Sequence, residues 1–150
     1  VEVFSKEVCD LLVEELRAMH PARWFFRNKI LSRPTKGTTD AHYYFLGDKQ
    51  QPAEFNALIR SMAPKIEGTE LGEALFNRYD VGSFMAEHID LAQYRYNMVI
   101  PLCDNGDGLF IGDTFVVDEP GRATVFPAWS PPHEVPPVKH QRFILIYLYE

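Results

Sequence analysis

Apolar residues recur at helical spacing near the start of the chain and later give way to short strand-like runs. Ser5 is placed to cap a first helix with Glu7 in its opening turn. Val8, Leu11, Leu12, Leu16 and Met19 form its stripe, and His20-Pro21 ends it. A second helix is expected from Pro52, a residue suited to the first turn. Its stripe is Phe55, Leu58, Ile59, Met62 and Ile66, with Gly68 just beyond. Strand candidates at 24–30 and 42–46 lie between the two helices.

After Gly68 the runs are 74–79, 84–90, 94–102, 109–117, 123–126, 133–138 and 143–149. Turn signals separate them, at Asp80-Val81-Gly82, Asp104-Asn105-Gly106, Glu119-Pro120-Gly121 and Pro131-Pro132. Helices followed by many short strands predict an α+β, mainly β chain, a jelly roll braced by N-terminal helices. One domain over 1–150 is expected, with helical support at about 1–70 and the jelly-roll core at about 71–150. The segment 104–108 reads as a tight hairpin, since it lacks the closing Glu of a calcium loop.

Composition narrows the function. Aromatic residues make up 13%, with 11 Phe and 7 Tyr, which favours a strand-rich interior. The net charge of −6 comes without a Lys/Arg block, which argues against nucleic acid as a partner. No apolar run is long enough to cross a bilayer, so no membrane association is expected. Cys9 and Cys103 lie far apart and outside any Cys-x-x-Cys spacing, so they are expected as free thiols, consistent with a cytoplasmic or otherwise intracellular location.

The chemistry-bearing residues are few. In His88-Ile89-Asp90, residues two apart on a strand project from one face, so an imidazole and a carboxylate converge. Two ligands do not make a metal site, and the pair alone also suits a hydrogen-bonded strand end. His133, on a separate strand, would complete a two-His-one-carboxylate set, the arrangement of non-haem Fe(II) sites, with zinc as the competitor on ligand type. Arg142 opens the last apolar run and alternates onto one face with Ile144, Ile146 and Leu148, opposite Phe143, Leu145, Tyr147 and Tyr149. An Arg in line with aliphatic residues needs an anion, either a ligand carboxylate or a nearby Asp or Glu.

Taken in order, Tyr79-Asp-Val-Gly82, His88-Ile-Asp90, His133-Glu-Val and Arg142 resemble the prolyl-4-hydroxylase-like branch of the Fe(II)/2-oxoglutarate-dependent oxygenases. Gly112-Asp113-Thr114-Phe115 is similar to that branch's Gly-Gly-Glu-Thr-x-Phe stretch, and residues 120–126 to its Pro-x-Gly-x-Ala-x-x-Phe turn. The resemblance runs from Tyr79 to the end of the chain, about half of it.

The resemblance implies that His88, Asp90 and His133 bind Fe(II) and that Arg142 pairs with the distal carboxylate of 2-oxoglutarate. Tyr79 matches a family tyrosine that supports the cosubstrate. Pro101-Leu102-Cys103 stands where relatives carry Tyr-Leu-Asn, and Tyr96 on the same strand could replace that contact, with core packing as its alternative use. The implied activity is a dioxygenase that uses O2, with ascorbate as a supporting reductant. It would hydroxylate a C–H bond of a prolyl or other peptide side chain and release succinate and CO2. Alternatives are hydroxylation of a free amino acid or small metabolite, and a non-catalytic jelly-roll binding module. A zinc hydrolase on the same three ligands would leave Arg142 without a role.

Overall fold

The computed structural model describes residues 1–32, 37–90, 93–129 and 131–150. Helix α1 (Lys6–Ala18) begins after Ser5, whose hydroxyl accepts a hydrogen bond from the Val8 amide at 3.2 Å. Its buried arc is Cys9, Leu12, Val13 and Leu16, the pattern of a helix packed along one side. Leu11, expected on that stripe, is 62% exposed, because one residue before Leu12 lies about 100° around the helix.

Helix α2 (Ala53–Ser61) follows Pro52, which is its N-cap rather than a first-turn residue. It ends at Ser61, short of the expected boundary near Gly68. Pro64 disfavours helical geometry at Ala63 and supplies no amide of its own. Ile66 therefore falls outside the helix, Leu58 is exposed, and Ile59 is the fully buried contact.

The strands are β1 (Phe25–Ser32), β2 (Gly37–Leu46), β3 (Leu71–Tyr79), β4 (Phe84–His88), β5 (Tyr96–Pro101), β6 (Gly108–Ile111), β7 (Thr114–Val117), β8 (Thr124–Pro127), β9 (His133–Val135) and β10 (Arg142–Tyr149). They form one curled antiparallel sheet in the order β7-β6-β9-β4-β2-β3-β10-β5-β8, with β1 beside β2. Strand β2 makes the curl: Ala41 and His42 pair with β4, while Tyr44 to Leu46 pair with β3. One wall is therefore β1-β2-β3-β10-β5-β8 and the facing wall is β4-β9-β6-β7. This is the expected jelly-roll architecture with two helices against it.

The run at 109–117 folds as the hairpin β6–β7, turned at Gly112, whose φ of 58° lies in the left-handed region that favours glycine. Residues 104–108, expected as a hairpin, instead carry the chain from β5 on one wall to β6 on the other. Asp107 anchors that crossover by accepting from the Lys139 and His140 amides at 3.0 and 3.2 Å.

Two cores result. The helices cover the outer face of the first wall through Cys9, Leu12, Leu16, Ile59, Phe76, Phe143, Leu145 and Tyr147. The space between the walls holds a second cluster that includes Tyr43, Tyr79, Met85, Val99, Val135 and Ile144. Cys9 and Cys103 are both free thiols. No helix among the described residues is long and apolar enough to cross a membrane.

Candidate metal centre and its cavity

His88 ends β4 and His133 begins β9, and antiparallel pairing sets the two directly opposite each other. Asp90 lies just past β4, where its amide donates to the Ala128 carbonyl at 3.2 Å. The histidines are buried, with ring centroids 4.2 Å apart, and the Phe126 ring packs at 4.9 Å from His133. One ligand atom from each of His88, Asp90 and His133 lies within 4.8 Å of the others. His88 Nε2 is 3.6 Å from one Asp90 oxygen and His133 Nε2 is 3.5 Å from the other.

These residues fit a metal ion on their own chemistry. The contact of His88 Nδ1 with the Ala86 carbonyl, at 2.8 Å, puts the proton of a neutral ring on Nδ1 and turns the Nε2 lone pair toward Asp90. A buried carboxylate facing these ring nitrogens calls for positive charge, supplied by protons on the rings or by a metal ion. Burial alone would raise the Asp90 carboxyl, but His133 and His88 outweigh it and hold the group well below the usual carboxylate range. Asn97 adds a hydrogen bond from Nδ2 to Asp90 Oδ2 at 2.7 Å. Two imidazoles and one carboxylate suit Fe(II) or zinc by ligand type.

The three side chains border a cavity of about 390 Å³ between the two walls. Arg142 lines it as expected, on the face shared with Ile144, Ile146 and Leu148. It is 1% exposed and sits on the central strand β10, not at an edge. Asp118, just after β7, grips it in a bidentate pair, Nε to Oδ2 at 2.6 Å and Nη2 to Oδ1 at 3.0 Å. Burial pushes the Asp118 carboxyl up, and Arg142 offsets only part of that rise. Asp118 engages two of the five guanidinium N–H groups, so the fork retains donors for a second carboxylate.

Tyr79 also lines the cavity, 2% exposed, with its ring 5.1 Å from the Arg142 guanidinium and stacked on Tyr43 at 5.6 Å. Burial pushes its hydroxyl well above the ordinary tyrosine range, partly offset by Arg142. Tyr96 is a correction. It lies on the opposite face of β5 from Asn97 and packs against the helix-covered core, so it cannot reach a ligand in the cavity. Cys103 lies on that helix side as well.

The remaining histidines stay away from the centre. His20 accepts from the Ala22 amide, His42 meets Ser83 Oγ at 3.3 Å, and exposed His140 lies 3.7 Å from Asp107. Asn97 and Arg27, not singled out from the sequence, also line the cavity, and Asp118 supports it through Arg142. The alternation of β5 could have yielded Asn97 once Val99 was placed inside. No local signal marks Asp118 as the partner of a residue 24 positions away.

No family profile and no curated protein matches the sequence. Solved structures do. A Pseudomonas putida prolyl-4-hydroxylase superposes with a TM-score of 0.66 at 19% identity, over 100% of this chain and 89% of that one. The fold is that of the prolyl-hydroxylase-like 2-oxoglutarate oxygenases. An oxidoreductase of the 2OG-Fe(II) oxygenase family from Burkholderia pseudomallei gives a TM-score of 0.60 at 18% identity, over 93% of this chain and 78% of that one. A viral collagen prolyl hydroxylase from Paramecium Bursaria Chlorella virus-1, in complex with 2OG, gives 0.56 at 13% identity, over 99% and 92%. The oxygenase fold thus extends over the helices and β1–β2 as well as the half of the chain that carries the motifs.

Proposed function

We propose that this chain is an Fe(II)- and 2-oxoglutarate-dependent dioxygenase that hydroxylates a C–H bond. The observation that carries the reading is the convergence of His88, Asp90 and His133 on one wall of a cavity that also contains the buried Arg142 fork. His88, Asp90 and His133 would hold the iron. Arg142 would hold the distal carboxylate of 2-oxoglutarate, with the Tyr79 hydroxyl beside it. When bound, iron and 2-oxoglutarate supply with O2 the oxidising power for C–H cleavage, with the net change R–H + O2 + 2-oxoglutarate → R–OH + succinate + CO2.

The protein contributes ligation, orientation and exclusion of water. The Ala86 carbonyl fixes the His88 tautomer, Asn97 orients Asp90, and Asp118 holds Arg142 in one plane. Apolar side chains such as Val99, Leu109, Val135 and Ile144 keep the centre dry and strengthen its electrostatics. The substrate is a peptide side chain or a small molecule, and the free thiols Cys9 and Cys103 suit a reducing compartment.

One observation favours the non-catalytic jelly-roll reading: Asp118 already neutralises Arg142. Anaerobic titration separates the two. Fe(II) should bind with a stoichiometry of one, and 2-oxoglutarate should then bind with a change in the visible spectrum. A metal-loaded protein that takes up no 2-oxoglutarate would leave the binding-module reading standing.

A further inference from the structure

The polar groups around the cavity divide into those that metal and cosubstrate would use and those that neither can satisfy. 2-Oxoglutarate offers only hydrogen-bond acceptors. It matches Arg142 and the Tyr79 hydroxyl but has nothing to donate.

Asn97 presents a buried acceptor. Its Nδ2 faces the Asp90 carboxylate, which only accepts, and this fixes the orientation of the amide. Its Oδ1 is left buried with no hydrogen-bond partner, in a side chain 5% exposed that lines the cavity next to the metal ligands. Such a group is costly unless a ligand donates to it.

Arg27 poses the opposite demand. Among the described residues no carboxylate pairs with it, and its Nε is buried without a hydrogen-bond partner. Its guanidinium stacks 3.9 Å from the Phe45 ring on the cavity wall and lies beside the Tyr43 hydroxyl. A planar cation held this way suits a carboxylate.

Glu73 supplies an anion on the same wall and accepts from the Tyr94 hydroxyl. In register, Glu73 and Asn97 flank Leu148 from β3 and β5, so anion and orphaned acceptor share one row across the sheet. Arg27 pairs with Tyr43 further along, and its side chain lies over Phe45, the next inward position toward that row.

We propose that the cavity takes a free α-amino acid as the molecule to be hydroxylated, with its ammonium received by Asn97 Oδ1 and Glu73 and its carboxylate by Arg27. This rests on the oxygenase reading, in which the triad and Arg142 serve metal and cosubstrate. A prolyl residue within a peptide has no N–H on its ring nitrogen and no charge, so it does not itself supply the ammonium and carboxylate that these groups suit.

The test uses the full chain loaded with Zn(II) and 2-oxoglutarate, a complex that cannot turn over. Calorimetry follows the addition of the standard L-amino acids, their N-acetyl and C-amide derivatives, and a doubly blocked Gly-Pro-Gly peptide. At least one free amino acid should bind, and blocking either end should weaken it about tenfold or more, the loss of one charged hydrogen bond. Arg27→Gln should weaken the same ligand to a similar degree, and Arg27→Lys less. Blocked peptide binding as well as the free acids would overturn the inference, as would the absence of any amino-acid binding to a complex that has taken up 2-oxoglutarate. A fall in 2-oxoglutarate affinity alone on Arg27→Gln would make Arg27 a cosubstrate anchor and also overturn it. Failure to take up 2-oxoglutarate at the first step is a separate result. It removes the oxygenase reading itself, and this inference with it.

Discussion

The two faces of strand β10 are built from alternate residues of one run, yet they solve different problems. Toward the helices, Phe143, Leu145, Tyr147 and Tyr149 are buried and fully engaged. The Tyr147 hydroxyl donates to the Ile59 carbonyl at 2.7 Å and that of Tyr149 to the Pro64 carbonyl at 2.5 Å. Toward the cavity, Arg142 lies among Ile144, Ile146 and Leu148, in a space where polar atoms go unanswered. Of the five buried side-chain atoms without a hydrogen bond among the described residues, four belong to cavity-lining residues: Arg27, Asn77, Asn97 and His133. Buried polar groups are ordinarily satisfied, so a concentration on one side of one sheet marks the side prepared for ligands. The helix side contributes stability; the cavity side gives some of it up.

The sharpest test of this division is Asp90→Ala. It removes the only anionic ligand of the triad and leaves two imidazoles. Fe(II)-dependent succinate formation from 2-oxoglutarate should fall at least a hundredfold, while the circular dichroism spectrum is preserved. Normal turnover in a folded Asp90→Ala protein would show that the triad is not the metal centre.

Next comes Arg142, where the two roles meet. Arg142→Ala strands Asp118 as a buried unpaired charge and should cost about 3–5 kcal/mol in denaturant unfolding. It should also weaken 2-oxoglutarate by tens to thousands of fold. The double variant Arg142→Met, Asp118→Leu replaces the pair with apolar groups and should recover most of the stability but none of the cosubstrate binding. Recovery of both would mean that the fork holds the fold together and nothing else.

A smaller effect is expected at Asn97. Asn97→Ala removes the hydrogen bond that orients Asp90 and should weaken metal binding by about 10–100-fold in a competitive chelator titration. An unchanged metal affinity would remove Asn97 from the centre. The smallest effect belongs to the helix side. Tyr147→Phe loses the bond to the Ile59 carbonyl and should cost about 1 kcal/mol of stability. Its 2-oxoglutarate affinity should match that of the unmodified protein, and a change there would mean that the two faces are coupled.

What the sequence disclosed follows the range of each signal. Strict alternation in β10 assigned every residue of that strand to its face, because a period of two leaves only two choices. Capping by Ser5 was equally local. The errors sit where local signals compete or run out. Leu11 is as apolar as Leu12, and only packing decided which of the two faces inward. The second helix is shorter than its apolar stripe predicts, because Met62 and Ile66 keep the period while Pro64 breaks the backbone. Tyr96 faces the helix-covered core, and the neighbouring Asn97 holds the inward position, which residue type alone does not reveal. Asp118 lies across the barrel from Arg142 and is joined to it only by the closure of the two walls, which no window of sequence contains.

The position of β10 in the chain also bears on how the protein is made. It is the middle strand of the first wall, bonded to β3 and β5, yet it follows every other strand in sequence. During synthesis β3 and β5 therefore leave the ribosome without the neighbour that joins them, and His133 emerges later than His88 and Asp90. The first wall is therefore completed last, and the inner face of β10, with Arg142, closes a cavity whose metal ligands are paired on the facing wall.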